Sequence, residues 1–285
     1  MTLLVFGMSG QVARELAHLA PQATLLSRAE VDLAEPAAPA AAILERSPSA
    51  VINAAAWTAV DTAETARDAA FAVNAEAPRT MAQTCARLNI PLVHISTDYV
   101  FDGQGDMPWT PSSPTAPLGV YGASKLAGEV GVRAAAGSHA ILRTSWVFSA
   151  HGINFLKTML RLANTRDHLT IVSDQIGGPT PARAIAAACL TIADALVADP
   201  SKSGTYHFTG APDVSWAGFA RAIFSAAGKS VTVEDIPSSA YPTPAPRPKN
   251  SRLDCRTTQD VFGITRPDWV EGITEVLADL ADQAP

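Results

Sequence analysis

Residues 3–13 read LLVFGMSGQVA, an apolar run followed by a glycine turn and the start of a segment rich in Ala, Leu, Glu and Arg. The run predicts a buried strand, and the segment predicts a helix. Gly7 and Gly10 let the backbone approach a pyrophosphate, which the free N–H groups and the dipole of a helix N-terminus stabilise. The spacing is G-x-x-G-x-x-A, with Ala13 in place of the last glycine of the G-x-G-x-x-G pattern. A glycine turn can be purely structural, but the strand and helix that flank this one favour a dinucleotide site.

Short apolar runs and longer helical segments alternate from this turn to about residue 146. The predicted strands are 3–6, 24–26, 51–53, 92–95 and 140–143, and the predicted helices are 11–20, 37–46, 70–88 and 121–136. Such alternation with short connections predicts a parallel sheet that helices cover on both faces. The predicted fold class is therefore α/β, a Rossmann-like doubly wound parallel sheet.

The pattern is less regular after about Trp146. It predicts helices at 154–164, 181–198, 216–227 and 270–282, and strands at 170–173, 206–208 and 231–233. We expect residues 1–148 to form an NAD(P)-binding Rossmann domain and residues 149–285 to form mainly a smaller C-terminal substrate-binding lobe. The helix and strand within 180–209 are candidates to join the first domain. The Pro-rich stretch 237–248 is either a flexible linker or a rigid loop over a phosphate, since it carries Arg247.

Composition excludes several classes of protein. Of the 285 residues, 47% are hydrophobic and 17% are charged, which supports a sizeable core and argues against disorder. The formal net charge of −6 argues against a partner that is a nucleic acid or a membrane surface. Cys85, Cys189 and Cys255 lie far apart, so we expect reduced thiols and no metal. The first residues lack the features of a signal peptide and no run is long enough to cross a bilayer, which predicts a cytoplasmic protein.

The next two strand ends also bear on the cofactor. Arg28 stands where an acidic residue would bind the 2′-hydroxyl of NAD and an arginine would suit the 2′-phosphate of NADP. This favours NADPH, with NADH as the alternative if Arg28 is only a surface residue. Asp32 and Leu33 are candidates to flank the adenine. The third strand is followed by small side chains beside which a cofactor can lie, at Ala54, Ala55 and Ala56.

A candidate acid pair lies at the start of the helix predicted over 121–136. Tyr121 and Lys125 are four residues apart and so share one helix face. A phenol titrates near pH ~10, and we expect the nearby ammonium to lower its pKa towards the working range. An isolated Y-x-x-x-K is usually a surface pair, but this one follows a strand end that carries Thr97 and Asp98. The Thr97 hydroxyl is the natural third member, because it can donate a hydrogen bond to a ketone oxygen.

These segments resemble the extended short-chain dehydrogenases and, within them, the family of dTDP-4-dehydrorhamnose reductases. The resemblance runs from residue 2 to about 270, and beyond the glycine turn it rests on the strings NAAAWTAVD (53–61), STDYVF (96–101), VYG (120–122), RTSWV (143–147), NF (154–155), TMLRLA (158–163), DQ (174–175), GPT (178–180), PTPA (242–245), RP (247–248) and NSRL (250–253).

The resemblance implies reduction of the C4 ketone of dTDP-4-dehydro-6-deoxy-L-mannose to dTDP-L-rhamnose. It implies that Tyr121 is the proton donor, that Lys125 is its partner and also touches the nicotinamide ribose, and that Thr97 holds the keto oxygen. The other implied contacts are Gly10, Gln11 and Val12 with the pyrophosphate, Ala56, Trp57 and Thr58 with the inner side of the cofactor, Thr97, Asp98 and Trp146 with the sugar nucleotide, and Arg247 with its phosphates.

The chain departs from the family pattern at three positions, where Ser27 replaces an acidic residue, Ala13 a glycine and Trp57 a histidine. Some relatives dimerise around a magnesium ion held by glutamates. Glu15 matches one such position but the others are not matched, so a homodimer stays open and no metal is predicted. Two alternative functions also stay open. One is a 4-ketoreductase of another dTDP-deoxysugar, and the other is a non-catalytic NADP-binding subunit like the regulatory subunit of methionine adenosyltransferase.

Overall fold

The computed structural model describes residues 2–283. Its strands are β1 (Leu3–Phe6), β2 (Thr24–Leu26), β3 (Ala50–Asn53), β4 (Leu92–Thr97), β5 (His139–Thr144), β6 (Val147–Phe148), β7 (His168–Val172), β8 (Ile176–Gly177), β9 (Thr180–Pro181), β10 (Gly204–His207), β11 (Val214–Ser215), β12 (Thr232–Ile236) and β13 (Asn250–Ser251). Its α-helices are α1 (Gln11–Leu19), α2 (Ala38–Arg46), α3 (Val60–Ala63), α4 (Arg67–Phe71), α5 (Ala77–Leu88), α6 (Val120–Ala134), α7 (Phe155–Leu162), α8 (Ala182–Ala198), α9 (Trp216–Ala226), α10 (Arg256–Phe262) and α11 (Trp269–Asp282).

A six-stranded parallel sheet with the order β10-β5-β4-β3-β1-β2 forms the centre of the molecule. Side chains of a strand point alternately to its two faces, so Leu3 and Val5 face one apolar core while Leu4 and Phe6 face another. The first core is completed by α1 and α8, and the second by α2, α5 and α6. The predicted doubly wound α/β fold is confirmed, because helices cover both faces of this parallel sheet.

The segment predicted as a helix over 70–88 is helical throughout, but not uniformly so. It comprises the end of α4, a wide π-helical turn over Ala72–Glu76, and α5. Pro78 lies at the start of α5 and has no N–H to offer the carbonyl of Asn74, four residues earlier. That carbonyl faces α6 at Gly128, where an added Cβ would lie only 2.1 Å from the Asn74 oxygen. The wide turn therefore marks a close approach of two backbones.

The second half of the chain contributes to the central sheet and also forms a core of its own. Helix α8 packs on α1, and β10 pairs in parallel with β5, so this part of 180–209 lies in the sheet. A separate apolar cluster combines side chains of α7, α9 and α11 with the parallel pair β7 and β12. The division into 1–148 and 149–285 itself stays a prediction.

The Pro-rich stretch 237–248 is not a free linker. It is irregular, but the backbone N–H of Ala245 and the guanidinium of Arg247 both bond to the carboxylate of Asp61. Among residues 2–283, no helix is both long enough and apolar enough to span a membrane.

We expect Gly128→Ala to lower the free energy of unfolding by about 1–3 kcal/mol, because the new methyl group forces α6 away from the backbone of Asn74. Chemical denaturation measures the change. Val130→Ala is the matched control, since Val130 lies on the exposed side of the same helix. Equal stability of the two variants would show that this contact is not tight.

Candidate active site

One cleft of about 720 Å³ opens at the carboxyl ends of β1, β3, β4 and β5. Ligands of open parallel α/β sheets bind at this edge. The predicted residues that line the cleft are Gly7, Gly10, Gln11, Val12, Arg28, Asp32, Leu33, Ala54, Ala55, Ala56, Thr58, Thr97, Asp98, Tyr121, Lys125 and Trp146. The fold thus brings together nearly every position singled out from the sequence.

The glycine turn shapes one end of the cleft. Gly7 has a φ of 115°, and an added Cβ would lie 3.3 Å from the carbonyl carbon and oxygen of Ala54. Gly10 precedes α1 in an extended conformation and no side chain caps the helix. The N–H groups of its first turn are thus left for a ligand. A cradle of backbone donors without side chains fits a pyrophosphate.

Arg28 lies at the rim of the same end. Its side chain is 81% exposed, and its guanidinium is 3.5 Å from the carboxylate of Asp32. Such an exposed pair holds its members only weakly. The guanidinium is therefore accessible to an anionic group at this end of the cleft.

Asn74 fixes the loop that follows β3, and the sequence analysis missed it. Its side-chain oxygen accepts the N–H of Trp57 at 2.8 Å, while its amide group donates to the Trp57 carbonyl at 3.0 Å and to the Ser124 hydroxyl at 3.0 Å. Asn74 is almost wholly buried. The only signal in the sequence is a polar residue within a predicted helix, and it does not reveal these hydrogen-bond partners.

Tyr121 and Lys125 face the other end of the cleft, from the first turns of α6. The ammonium of Lys125 donates to the carbonyl of Ile95 at 2.7 Å, and burial lowers its pKa to about 8, against the opposing effect of Glu129. Burial raises the pKa of Tyr121 to about 12, although the Thr97 hydroxyl acts to lower it. The prediction that Lys125 lowers the pKa of Tyr121 is wrong in this structure, since burial dominates and the ammonium is bonded to Ile95.

Thr97 and Asp98 lie at the end of β4. The hydroxyl of Thr97 donates to Oδ1 of Asp98 at 3.0 Å and accepts the N–H of Tyr99 at 3.2 Å. Oδ2 of Asp98 is buried and has no hydrogen-bond partner among the described residues. Burial raises the pKa of this carboxyl group to about 6. The hydroxyl of Ser251, which is also buried without another partner, acts to lower this pKa and so lies beside the same carboxyl group.

Arg247 is the one predicted site residue that does not line this cleft within residues 2–283. Its Nη2 donates to Oδ2 of Asp61 at 2.8 Å, which ties the Pro-rich stretch to α3. Its Nη1 is buried and has no hydrogen-bond partner among the described residues, so the role of Arg247 as a phosphate ligand stays a prediction.

Both carboxylate oxygens of Glu15 have partners within the chain. Its two carboxylate oxygens face Nε of Arg183 at 3.0 Å and Nε2 of His151 at 3.5 Å. Arg183 also contacts Asp279 at 2.7 Å, so one guanidinium lies between two carboxylates where a cation would have to bind. Mg²⁺ prefers oxygen ligands, and the carboxylates of Glu15 and Asp279 are here paired with a guanidinium.

A doubly wound sheet whose cleft combines a glycine turn with a Thr, Tyr and Lys set defines the class of extended short-chain dehydrogenases and reductases. The sequence model of the family described as "RmlD substrate binding domain" matches residues 1–282, and the chain belongs to this family. The prediction of family from the sequence is confirmed.

Several relatives of this chain and several solved structures similar to it share the same name. The chain is 44% identical to a dTDP-4-dehydrorhamnose reductase from Sinorhizobium fredii, with 95% of each chain covered. It is also 44% identical to one from Burkholderia thailandensis, covering 99% of this chain and all of the relative. The solved structure of a reductase of this name from Clostridium acetobutylicum is 34% identical with a TM-score of 0.91, covering 99% of this chain and 100% of the other. One from Bacillus anthracis, in complex with NADP, is 32% identical with a TM-score of 0.90, covering 98% and 100%.

We expect magnesium chloride and EDTA to leave the unfolding midpoint of the protein unchanged, because Arg183 already neutralises Glu15. Arg183→Met should lower the free energy of unfolding by about 1–3 kcal/mol, since it leaves a buried carboxylate with a poorer partner. Thermal and chemical denaturation measure both effects. Arg221→Met removes an exposed ion pair with Asp235 and serves as the control, with a loss of about 0–1 kcal/mol. A midpoint that rises with magnesium would contradict this account of the site.

Proposed function

We propose that this protein catalyses the reduction of the C4 ketone of dTDP-4-dehydro-6-deoxy-L-mannose to dTDP-L-rhamnose, with NADPH as the preferred reductant and NADH as the alternative. The observation that carries the proposal is the convergence of Thr97, Tyr121 and Lys125 in the cleft that begins at the glycine turn. The names of the relatives supply the identity of the sugar nucleotide. The bound NADP of one structural neighbour supports the cofactor.

The residues at the glycine turn fit a dinucleotide. Gly7, Gly10 and the first turn of α1 hold the pyrophosphate through backbone N–H groups, and Ala54 to Ala56 leave room for the rest of the cofactor. The bound nicotinamide supplies the hydride that is added to C4. Lys125 lines the cleft together with Tyr121, and we assign it to the nicotinamide ribose.

Tyr121 gives its phenolic proton to the ketone oxygen as negative charge develops there. A raised pKa keeps the phenol protonated at neutral pH, which is the form that an acid must have in a reduction. The hydroxyl of Thr97, turned from Oδ1 of Asp98 towards the ketone oxygen, holds that oxygen beside the phenol. The ammonium of Lys125 adds a positive charge at the same end of the cleft. Asp98 and Trp146 both line the cleft, and we assign both to the binding of the sugar nucleotide.

Two related assignments are part of the proposal. Residues 1–148 bind the cofactor and residues 149–285 mainly bind the substrate, apart from α8 and β10, which belong with the central sheet. The ligand partner is the sugar nucleotide, and the family resemblance leaves a homodimer open. Analytical ultracentrifugation measures the assembly directly.

We expect Tyr121→Phe to bind NADPH with unchanged affinity and to lose at least about 100-fold in turnover, the usual contribution of a general acid. Turnover is measured with dTDP-4-dehydro-6-deoxy-L-mannose, and the product is identified by NMR. Tyr99→Phe is the matched control, because Tyr99 packs edge-on against Tyr121 at 5.3 Å. Wild-type turnover by Tyr121→Phe would overturn the mechanism.

The same assay separates the alternatives. A non-catalytic subunit would bind the cofactor but reduce no sugar nucleotide, whereas a reductase of another deoxysugar would turn over a different 4-keto compound or give the opposite C4 configuration.

We expect Arg28→Ala to raise KM for NADPH about tenfold, because an exposed guanidinium at this rim is available to pair with a 2′-phosphate. KM for NADH should stay the same, since NADH lacks that phosphate. Steady-state kinetics with each cofactor measure the effect. Arg46→Ala, at the far end of α2, is the control. An equal change for both cofactors would remove Arg28 from cofactor selection.

A further inference from the structure

A tryptophan in the wall of the cleft is stacked on a second tryptophan behind it. The rings of Trp146 and Trp216 are 3.6 Å apart between centroids and nearly parallel, at 12°. Trp146 lines the cleft, whereas Trp216 lies outside it, at the first position of α9. The inner ring can therefore touch a ligand, and the outer ring acts only through the inner one.

Trp146 is held in an unfavourable backbone conformation. It lies in the short crossing between β5 and β6 with a φ of 50°, a region that bulky side chains rarely adopt. Such a conformation persists only where the surroundings determine it. Its carbonyl accepts the N–H of Thr180 at 3.1 Å. The ring also lies so close to Gly177 that an added Cβ there would be 3.0 Å from Cε2 of the indole.

Trp216 is itself fixed on the side away from the cleft. Its indole N–H donates to the side-chain oxygen of Gln175 at 3.1 Å, and the amide group of Gln175 donates to the Ser238 hydroxyl at 3.0 Å. Phe155 of α7 packs on the same indole, with centroids 4.6 Å apart. The outer ring therefore has a defined position before any ligand binds, set by a hydrogen bond at its edge and an aromatic contact.

We infer that Trp216 is a positioning residue of the substrate site, which holds the indole of Trp146 in the orientation that receives the sugar of the substrate. This inference rests on the proposed function, because that function places the sugar nucleotide against Trp146. A wall that is ordered before binding avoids the loss of side-chain freedom on binding. The contact is made equally in the ground state and the transition state, so it affects substrate binding more than the chemical step.

The test is a set of variants at Trp216 assayed in the full-length protein. Trp216→Leu removes the stack, and we expect about a tenfold rise in KM for the sugar nucleotide with kcat changed less than about twofold. The dissociation constant for NADPH should stay the same, as measured by fluorescence titration. Trp216→Phe keeps an aromatic face and should recover most of the affinity. Gln175→Met keeps the volume but removes the acceptor of the indole N–H, and it should give a smaller rise of about threefold.

Trp269→Phe is the matched control, because Trp269 belongs to the same apolar cluster and packs on Phe219 rather than on Trp146. It should lower stability without a change in KM. An equal rise in KM for Trp269→Phe and Trp216→Leu would mean that loosening of the whole cluster causes the effect, and would overturn the inference. An unchanged KM in Trp216→Leu would also overturn the inference. The proposed function would still stand in that case, provided that the wild-type protein reduces the sugar nucleotide. Absence of turnover by the wild-type protein with any candidate 4-keto sugar would instead contradict the proposed function.

Discussion

The structure depends on one face of α6, which carries Tyr121, Lys125 and Glu129 at intervals of four residues. Glu129 is buried and forms two hydrogen bonds with the guanidinium of Arg143, at 2.8 and 2.6 Å, and it also accepts the hydroxyl of Ser96 at 2.7 Å. This buried pair ties the helix to β4 and β5. Lys125 and Tyr121 lie on the same face of α6 and are thereby held near the carboxyl ends of β4 and β5. A buried charge pair of this kind contributes more to a unique geometry than to net stability.

Burial gives Tyr121 and Lys125 opposite shifts that suit a reduction. It raises the pKa of the phenol, which keeps the proton on the donor, and it lowers the pKa of the ammonium to about 8. Glu129 opposes the second shift, so Lys125 remains mostly charged at neutral pH. The sequence pattern predicts a lowered pKa for the Tyr121 phenol, on the expectation that Tyr121 and Lys125, four residues apart, interact directly. The ammonium instead bonds to the Ile95 carbonyl, a partner that only the packing of α6 on β4 could reveal.

The sequence predicted what depends on local periodicity and missed what depends on tertiary contacts. All five strands of the first half form within two residues of their predicted limits, because their apolar runs are short and are separated by clear helices. The π-helical turn within the helix predicted over 70–88 is not part of that prediction, since it accompanies the close approach of the Asn74 carbonyl to Gly128 on another element. Asn74 and Trp216 were missed for the same reason. The family resemblance assigned Trp146 to the substrate. Trp216, whose ring supports Trp146, lies in none of the motifs on which that resemblance rests.

The side chains that line the cleft also join the two halves of the chain. Gln11, beside the glycine turn, accepts hydrogen bonds from the Ser149 hydroxyl and the Asn154 amide group, both at 2.9 Å. One turn further along α1, Glu15 contacts His151 of the same loop and Arg183 of α8. The N-terminus of α1 also faces the cofactor end of the cleft. The loop over residues 149–154, which lines the cleft, is therefore fixed relative to that end. The substrate wall and the cofactor cradle therefore share one rigid support, which is the condition for hydride and proton to reach the same carbonyl group from two different directions.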